Sequence, residues 1–345
     1  MNYDSSNMQR VAVVGAGIMG LSTAMQLKQA LPRARVTIMA DQFLKATTSD
    51  GAAGIFRPNP TGLGSDLDTE VIMQWSRDSW THFSSIARSR ESKAAGVSFV
   101  NGYHVFSNPP PKDYTTLSKF LPNFHVLTEE ELKMFPTHFP YGYGFTTVIA
   151  EPRFYMPFLM ERFKELGGNF ETRKINSLDD LVGECDLVVN CAGLRSKELV
   201  GDTKIYPVKG QMLRMHTPWL KYFVYINQDT WIVPGRESTT VGGTRERGKS
   251  DTDLFQADID AILDRASRVV PSIKDADVLW KWAGLRPARD PPRVELETRT
   301  VGGKPLKVVH NYGHGGHGIG LSWGSSKHAA RLAVDALTSS HQSKL

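Results

Sequence analysis

Disulfide-forming residues are nearly absent: the 345 residues include only two cysteines, Cys185 and Cys191. The second sits in LVVNCAG, which reads as a buried strand running into a small-residue turn. A disulfide framework is thereby excluded as the source of stability. Also missing is any apolar run of the roughly 18 residues that a membrane-spanning helix needs. The N-terminal MNYDSSNMQR has neither the basic start nor the apolar stretch of a secretory signal. The chain is therefore expected to be soluble, not exported by that route, and without a membrane partner. Its formal charge is +5, yet no run of Lys and Arg interleaves with aromatics. Nucleic acid is not expected as a partner, and attraction of a small acidic ligand suits the charge at least as well. With 40% hydrophobic residues, the chain can bury a core for one complex domain or two, and a folded enzyme is the default expectation.

Glycine is plentiful and patterned. In RVAVVGAGIMGLSTAMQL an apolar run leads into Gly15, Gly17 and Gly20 at GxGxxG spacing, then into helical apolar spacing through Leu27. This predicts a strand, a tight turn and a helix. Gly15 permits the turn, Gly17 admits a pyrophosphate to the backbone, and Gly20 lets helix and strand pack closely. The intervening Ala16, Ile18 and Met19 bring their amides to the same helix N-terminus. A second strand, ARVTIMA, ends at Asp41, about 20 residues past the glycines, where an acid accepts the ribose hydroxyl protons. An adenine dinucleotide is the expected ligand, and NAD and FAD both satisfy this fingerprint. The segment TTSDGAAGIFRP (47–58) is a loop rich in hydroxyls and small residues, suited to wrapping a flat cofactor through its backbone. The next strand of the same kind is expected only at CDLVVNCAG (185–193), so the nucleotide-binding domain is discontinuous.

Near the end, HNYGHGGHGIGLSWG places His310, His314 and His317 among six glycines. A glycine-rich HxxxHxxH loop with no carboxylate or cysteine beside it does not supply rigid metal geometry, so no metal is expected. The final Ser343, Lys344 and Leu345 spell SKL, which matches a peroxisomal address read by an import receptor. A frayed polar tail is the competing reading.

Taken together, VAVVGAGIMGLSTA, TTSDGAAG, DLVVNCAGLRS, GLRPARD and HNYGHGGHG resemble the D-amino-acid oxidase and D-aspartate oxidase family, over about Val11 to Ala333. The resemblance implies an α/β fold, with a discontinuous Rossmann-type FAD-binding domain (1–57, 146–206 and 285–339). It also implies a second, mainly antiparallel β substrate domain (58–145 and 207–284), followed by a C-terminal targeting tail (340–345). FAD is the implied cofactor. Besides the glycine turn, its implied contacts are Asp41 and Gln42, then Thr47, Thr48, Ser49, Ala53 and Gly54 of the hydroxyl-rich loop. Ile175, Ala192 and Gly193 follow. The last group is Gly315, Gly316, His317, Gly318, Ile319 and Gly320, where glycine keeps side chains off the isoalloxazine ring. The helix that follows presents its positive end to the flavin. His310 and His314 are read as structural hydrogen-bonding residues of this loop, and His317 as a candidate pocket residue.

By the same resemblance Arg286 of WAGLRPARD holds the substrate α-carboxylate with a two-point fork, and Gly316 offers its carbonyl to the amine. Arg289 and Arg293 are better explained as ion-pair residues. No general base is required, since a neutral amine can release its Cα hydrogen to the flavin as hydride. Trp231 stands where the family usually has tyrosine and Tyr225 at a variable lid position; substrate contact and ordinary aromatic packing both remain open for them. Arg245 in VGGTRERG resembles the D-aspartate branch, while GHGGHG resembles the neutral branch. A second buried cation would be costly without the anion that a dicarboxylate brings, which favours an acidic substrate; a solvated hairpin charge is the bland alternative for Arg245. Arg57 is a further candidate cation.

The resulting expectation is FAD-dependent oxidative deamination of D-aspartate and D-glutamate in the peroxisome matrix. Molecular oxygen is reduced to hydrogen peroxide, and an oxo acid and ammonia are released. A neutral D-amino-acid oxidase, a glycine- or sarcosine-oxidase-like enzyme and a silent flavin-binding scaffold are the alternatives. A homodimer is left open.

Overall fold

A computed structural model describes residues 8–58, 63, 69–110, 118–227 and 229–342. Ser343, Lys344 and Leu345 lie outside the described residues. The chain opens with β1 (Arg10–Ala16), α1 (Ile18–Ala30) and β2 (Arg35–Phe43). Helices α2 (Thr69–Ala87) and α3 (Ser92–Ala95) lead to β3 (Val97–Phe106) and β4 (His125–Val126). Then come α4 (Glu129–Leu132), β5 (Tyr141–Ala150), α5 (Pro152–Glu165), β6 (Asn169–Thr172), β7 (Leu187–Asn190) and α6 (Ser196–Val200). The second half holds β8 (Tyr206–Met215), β9 (Phe223–Ile226), β10 (Thr230–Pro234), β11 (Thr239–Gly242) and β12 (Glu246–Arg247). It closes with α7 (Gln256–Val269), β13 (Val278–Val301), β14 (Lys304–His314) and α8 (Gly318–Gln342).

Strands β14, β7, β1, β2 and β6 lie side by side and parallel. A parallel sheet covered on both faces needs apolar residues at every position, which explains the unbroken VAVV run of β1. Alternation divides that run: Val11 and Val13 join the core shared with α1, α5 and α8, whereas Ala12 and Val14 join a second core with Ile175, Leu178 and Val308. A parallel strand returns earlier than expected, at β6 beside β2. Its sequence, NFET, is short and half-exposed at the sheet edge, so it lacks the apolar run that marks the buried strands.

The remaining strands are mainly antiparallel, in the order β4-β5-β3-β9-β10-β11-β8-β13. One face packs on α7, whose Ile259, Ile262, Ala266 and Val269 meet Leu213, Val224, Ile232 and Val241; their spacing puts them on one helical stripe. Strand β13 joins the two halves. It pairs with β8 from Val278 to Ala288 and with β14 from Ala288 to Val301. The expected boundary at 284/285 therefore falls within one continuous strand, and α8 runs through the first three residues of the expected tail.

Candidate active site

A cavity of about 600 Å³ runs from the β1 turn to the junction of the two sheet regions, within the size range of ligand sites. Every expected flavin-contacting residue lines it except Gly20. Gly20 acts behind the wall: a Cβ there would lie 1.8 Å from the Gly15 carbonyl oxygen. Gly15 itself has φ +107°, and its Cβ would lie 2.6 Å from the Cys191 carbonyl oxygen. Only glycine closes this turn. At the start of α1 the Ile18 amide donates to Ser49 Oγ at 3.1 Å, tying the turn to the hydroxyl-rich loop. Neither α1 nor α8 carries an acid in its first turn, which leaves both positive ends available to an anion. Asp41 sits half-solvated at the cavity's nucleotide end, 3.9 Å from Arg195.

The loop from 47 to 57 is held by groups that its sequence does not reveal. Arg214, buried on β8, donates to the carbonyls of Ala52 at 2.9 Å and Gly51 at 3.4 Å. Asp50 pairs with Arg153 at 3.0 Å. Trp282 fills the space left by Gly51 and Gly284, where added Cβ atoms would approach its ring to 2.2 and 2.0 Å. A single charge inside the apolar QMLRM strand is the signal that marks Arg214; Trp282 carries none beyond its place in β13.

At the far end, β13 delivers Arg286, whose Nη1 donates to the Thr244 carbonyl at 3.2 Å. Burial and the neighbouring Arg245 lower its pKa to about 10, so a ligand anion that restores solvation of its charge is favoured there. Its guanidinium lies where a Cβ on Gly210 would be, 2.1 Å from that position. Gly242 and Gly243 make room for Trp231 in the same way, at 2.6 and 2.8 Å. The Trp231 ring has Arg286 Cζ at 5.8 Å and Arg245 Cζ at 5.7 Å. Tyr225 pairs with Trp231 across β9 and β10, with ring centroids 6.3 Å apart. Arg57 Cζ lies 4.2 Å from the Tyr225 ring centre. Trp231 and Tyr225 thus combine core packing with cavity lining. Among the described residues, the acids lining the cavity are Asp41 and Asp290; Asp290 is exposed and accepts from Tyr206 at 3.0 Å.

Three expectations change. Arg245 lines the cavity but is exposed, whereas Arg57 is 8% exposed; the buried cation is therefore Arg57 and not Arg245. His310 and His314 belong to β14 and not to a loop. His310 bonds Glu297 at 3.0 Å, whereas neither His314 ring nitrogen meets a hydrogen-bond partner among the described residues. Burial lowers the His314 pKa to about 3, and burial with Arg57 and Arg245 nearby does the same to His317; both are neutral at pH 7. Arg289 pairs with Asp202 at 2.7 Å, and Arg293 with Glu295 and Glu297 at 2.7 and 2.8 Å. Among the described residues, no group of three His, Cys, Asp or Glu is arranged to hold a metal.

These residues fit FAD. A Cβ added to Gly316, on the cavity wall, would meet nothing within 4 Å. The protein's own packing thus does not demand glycine there, and a planar ring lying against the 315–320 segment does. The two bare helix ends and the Gly15–Gly17 turn suit a pyrophosphate.

The model of the family described as DAO, FAD dependent oxidoreductase, matches residues 10–332. The chain is 39% identical over 329 residues to D-aspartate oxidase of Homo sapiens, covering 95% of each. It is 34% identical over 333 residues to D-amino acid oxidase of Dugesia ryukyuensis, covering 95% of this chain and 98% of that one. Among solved structures, glycine oxidase from Bacillus cereus superposes with a TM-score of 0.74 at 21% identity, covering 95% of each chain, a likeness of fold.

Proposed function

On the premise that this chain belongs to the family of FAD-dependent oxidoreductases that includes the D-amino-acid oxidases, we propose that its substrates are acidic D-amino acids, D-aspartate first and D-glutamate with it. The observation that carries this reading is the gathering of Arg286, Arg245 and Arg57 along the Trp231–Tyr225 wall of one cavity. A monocarboxylate needs one such cation; a dicarboxylate needs cations at both ends.

Arg286 takes the α-carboxylate through its planar fork, which fixes both position and rotation of the substrate. The Gly316 carbonyl accepts from the substrate amine. Trp231 can donate but not accept, so it suits a carboxylate edge and no proton shuttle. Arg245 faces the side-chain end. Burial holds the pKa of His314 and His317 at about 3, which makes both too weakly basic to take the ammonium proton, so the amine must arrive unprotonated or lose its proton to water. FAD, when bound, would supply the two-electron acceptor, with molecular oxygen as the final oxidant and hydrogen peroxide as its product. The imino acid released hydrolyses in water to the oxo acid and ammonia. The C-terminal SKL supports import into peroxisomes, a compartment suited to a peroxide-forming enzyme.

The test is anaerobic mixing of the purified yellow protein with D-aspartate, D-alanine, L-aspartate and glycine. D-aspartate should bleach the flavin fastest; faster bleaching by D-alanine would move the protein to the neutral branch.

A further inference from the structure

Strand β8 presents its residues alternately to two sides. Val208 and Met212 line the cavity and Gly210 makes room for Arg286, whereas Lys209, fully buried, pairs with Asp251, and Leu213 joins the α7 core. The neighbouring chain follows that alternation as far as Gly242, which pairs with Met212 on one side and Trp231 on the other, both on the cavity wall. Pairing resumes with Glu246 opposite Lys209 and Arg247 opposite Val208. Two residues of β8, Gly210 and Gln211, therefore oppose three, Gly243, Thr244 and Arg245. This is a β-bulge of one extra residue. A one-residue slip reverses the side that each later side chain faces: regular pairing from Gly242 would send Arg245 to the Lys209 side, and the bulge turns it to the cavity.

Thr244 closes the bulge. Its amide donates to the Gln211 carbonyl at 3.3 Å, and its Oγ1 accepts from the Gln211 amide at 2.9 Å. Hydrogen-bonded residues of a regular antiparallel pair exchange both bonds through their backbones. Here the hydroxyl takes the place of the Thr244 carbonyl, and that carbonyl accepts instead from Arg286 Nη1 at 3.2 Å. Gln211 is a firm base for this arrangement: it is fully buried, its Oε1 accepts from the Phe255 amide at 2.8 Å, and its Nε2 donates to Asp258. Arg265 of α7 secures the preceding residue, donating to the Gly243 carbonyl at 3.2 Å.

We propose that Thr244 is a positioning residue for both ends of the substrate: through its hydroxyl it keeps the bulge that turns Arg245 to the cavity, and through the carbonyl so released it holds the Arg286 fork. The Arg245 half rests on the acidic-substrate reading above, and the Arg286 half on an α-carboxylate that neutral substrates share. Valine at this position has nearly the same shape and no acceptor. The Gln211 amide must then go unpaired or draw the carbonyl of residue 244 back into the ladder, away from Arg286.

The experiment compares kcat/KM for D-aspartate and D-methionine, by oxygen consumption, in wild type, Thr244→Val, Thr244→Ser, Arg245→Gln and the double Thr244→Val, Arg245→Gln variant, with flavin content and Tm recorded for each. Thr244→Val should lower kcat/KM for D-methionine by about 10-fold, the scale of one charge-assisted hydrogen bond, and for D-aspartate by about 30- to 100-fold. Thr244→Ser, which keeps the oxygen, should recover most of both losses. In the Arg245→Gln background Thr244→Val should cost the two substrates equally, because only Arg286 remains to be displaced. A Thr244→Val enzyme within about threefold of wild type on both substrates, or a serine variant as impaired as the valine one, overturns the proposal. Equal losses on the two substrates, with a wild-type preference for D-aspartate, overturn the Arg245 half and leave the acidic reading standing. A wild type that prefers D-methionine overturns the acidic reading and the Arg245 half with it, while valine against serine on D-methionine still decides the hold on Arg286. Should Thr244→Val not fold, Thr244→Cys takes its place, since sulfur is a weak acceptor.

Discussion

Replacing Gly210 by alanine tests whether the placement of Arg286, and not merely its presence, sets turnover. The added Cβ would lie 2.1 Å from Nη1, 2.3 Å from Nη2 and 2.4 Å from Cζ of Arg286. Ordinary contact begins near 3.4 Å, so the guanidinium must retreat by about 1.3 Å, given the steep repulsion below contact distance. The clash falls on the far end of a flexible side chain, so the fold should absorb it with little loss. Alignment of the bound carboxylate should not survive: a misplacement of about 1 Å costs on the order of 100-fold, or about 2.7 kcal/mol of transition-state stabilisation. The assay is kcat/KM for D-aspartate by oxygen consumption, alongside thermal unfolding and flavin content. The expected result is a drop of roughly 100-fold with Tm and flavin nearly unchanged. Arg286→Lys, which keeps the charge and loses the fork, should fall at least as far. A Gly210→Ala enzyme within about threefold of wild type would refute the reasoning, since that is under about 0.7 kcal/mol.

Arg245→Met should shift selectivity from D-aspartate toward D-methionine by about 5- to 30-fold, or about 1 to 2 kcal/mol, a modest effect because the residue is solvent-screened; an unaltered kcat/KM ratio would remove Arg245 from the specificity set. His82 stacks on Trp323 at 3.4 Å and bonds Tyr155 at 2.7 Å, and burial lowers its pKa to about 3. The unfolded chain takes up this proton below pH 6.5 while the folded chain withholds it, so stability is lost as pH falls from 6.5 toward 3. His82→Phe should accordingly lose up to about 2 kcal/mol less than wild type between pH 7 and pH 5, as read from urea unfolding at the two pH values; parallel curves would contradict the assignment. Deleting Ser343–Leu345 should leave oxidase activity intact and move a tagged protein from peroxisomes to cytosol; unchanged puncta would exclude SKL as the signal.

The nucleotide-binding turn was readable from the sequence because its geometry is local: Gly15, Gly17 and Gly20 answer to φ angles and contacts fixed within a strand, a turn and a helix. The apolar run of β1 was readable as a strand for the same reason. Asp41, one strand later, was legible from its spacing to those glycines, and the 315–320 glycines only through the resemblance to the family. What the sequence could not determine depends on partners far away in the chain. Strand β6 takes its place from β2 and not from its own NFET composition. Arg214 acts on Ala52, 162 residues away. Arg245 and Arg57 look alike as isolated cations, and only packing separates them. Arg245 follows a strand end into solvent, whereas Arg57 is delivered inward by a strip bonded to β5 and covered by Tyr225. Burial belongs to the assembled sheet and to no segment of the chain alone.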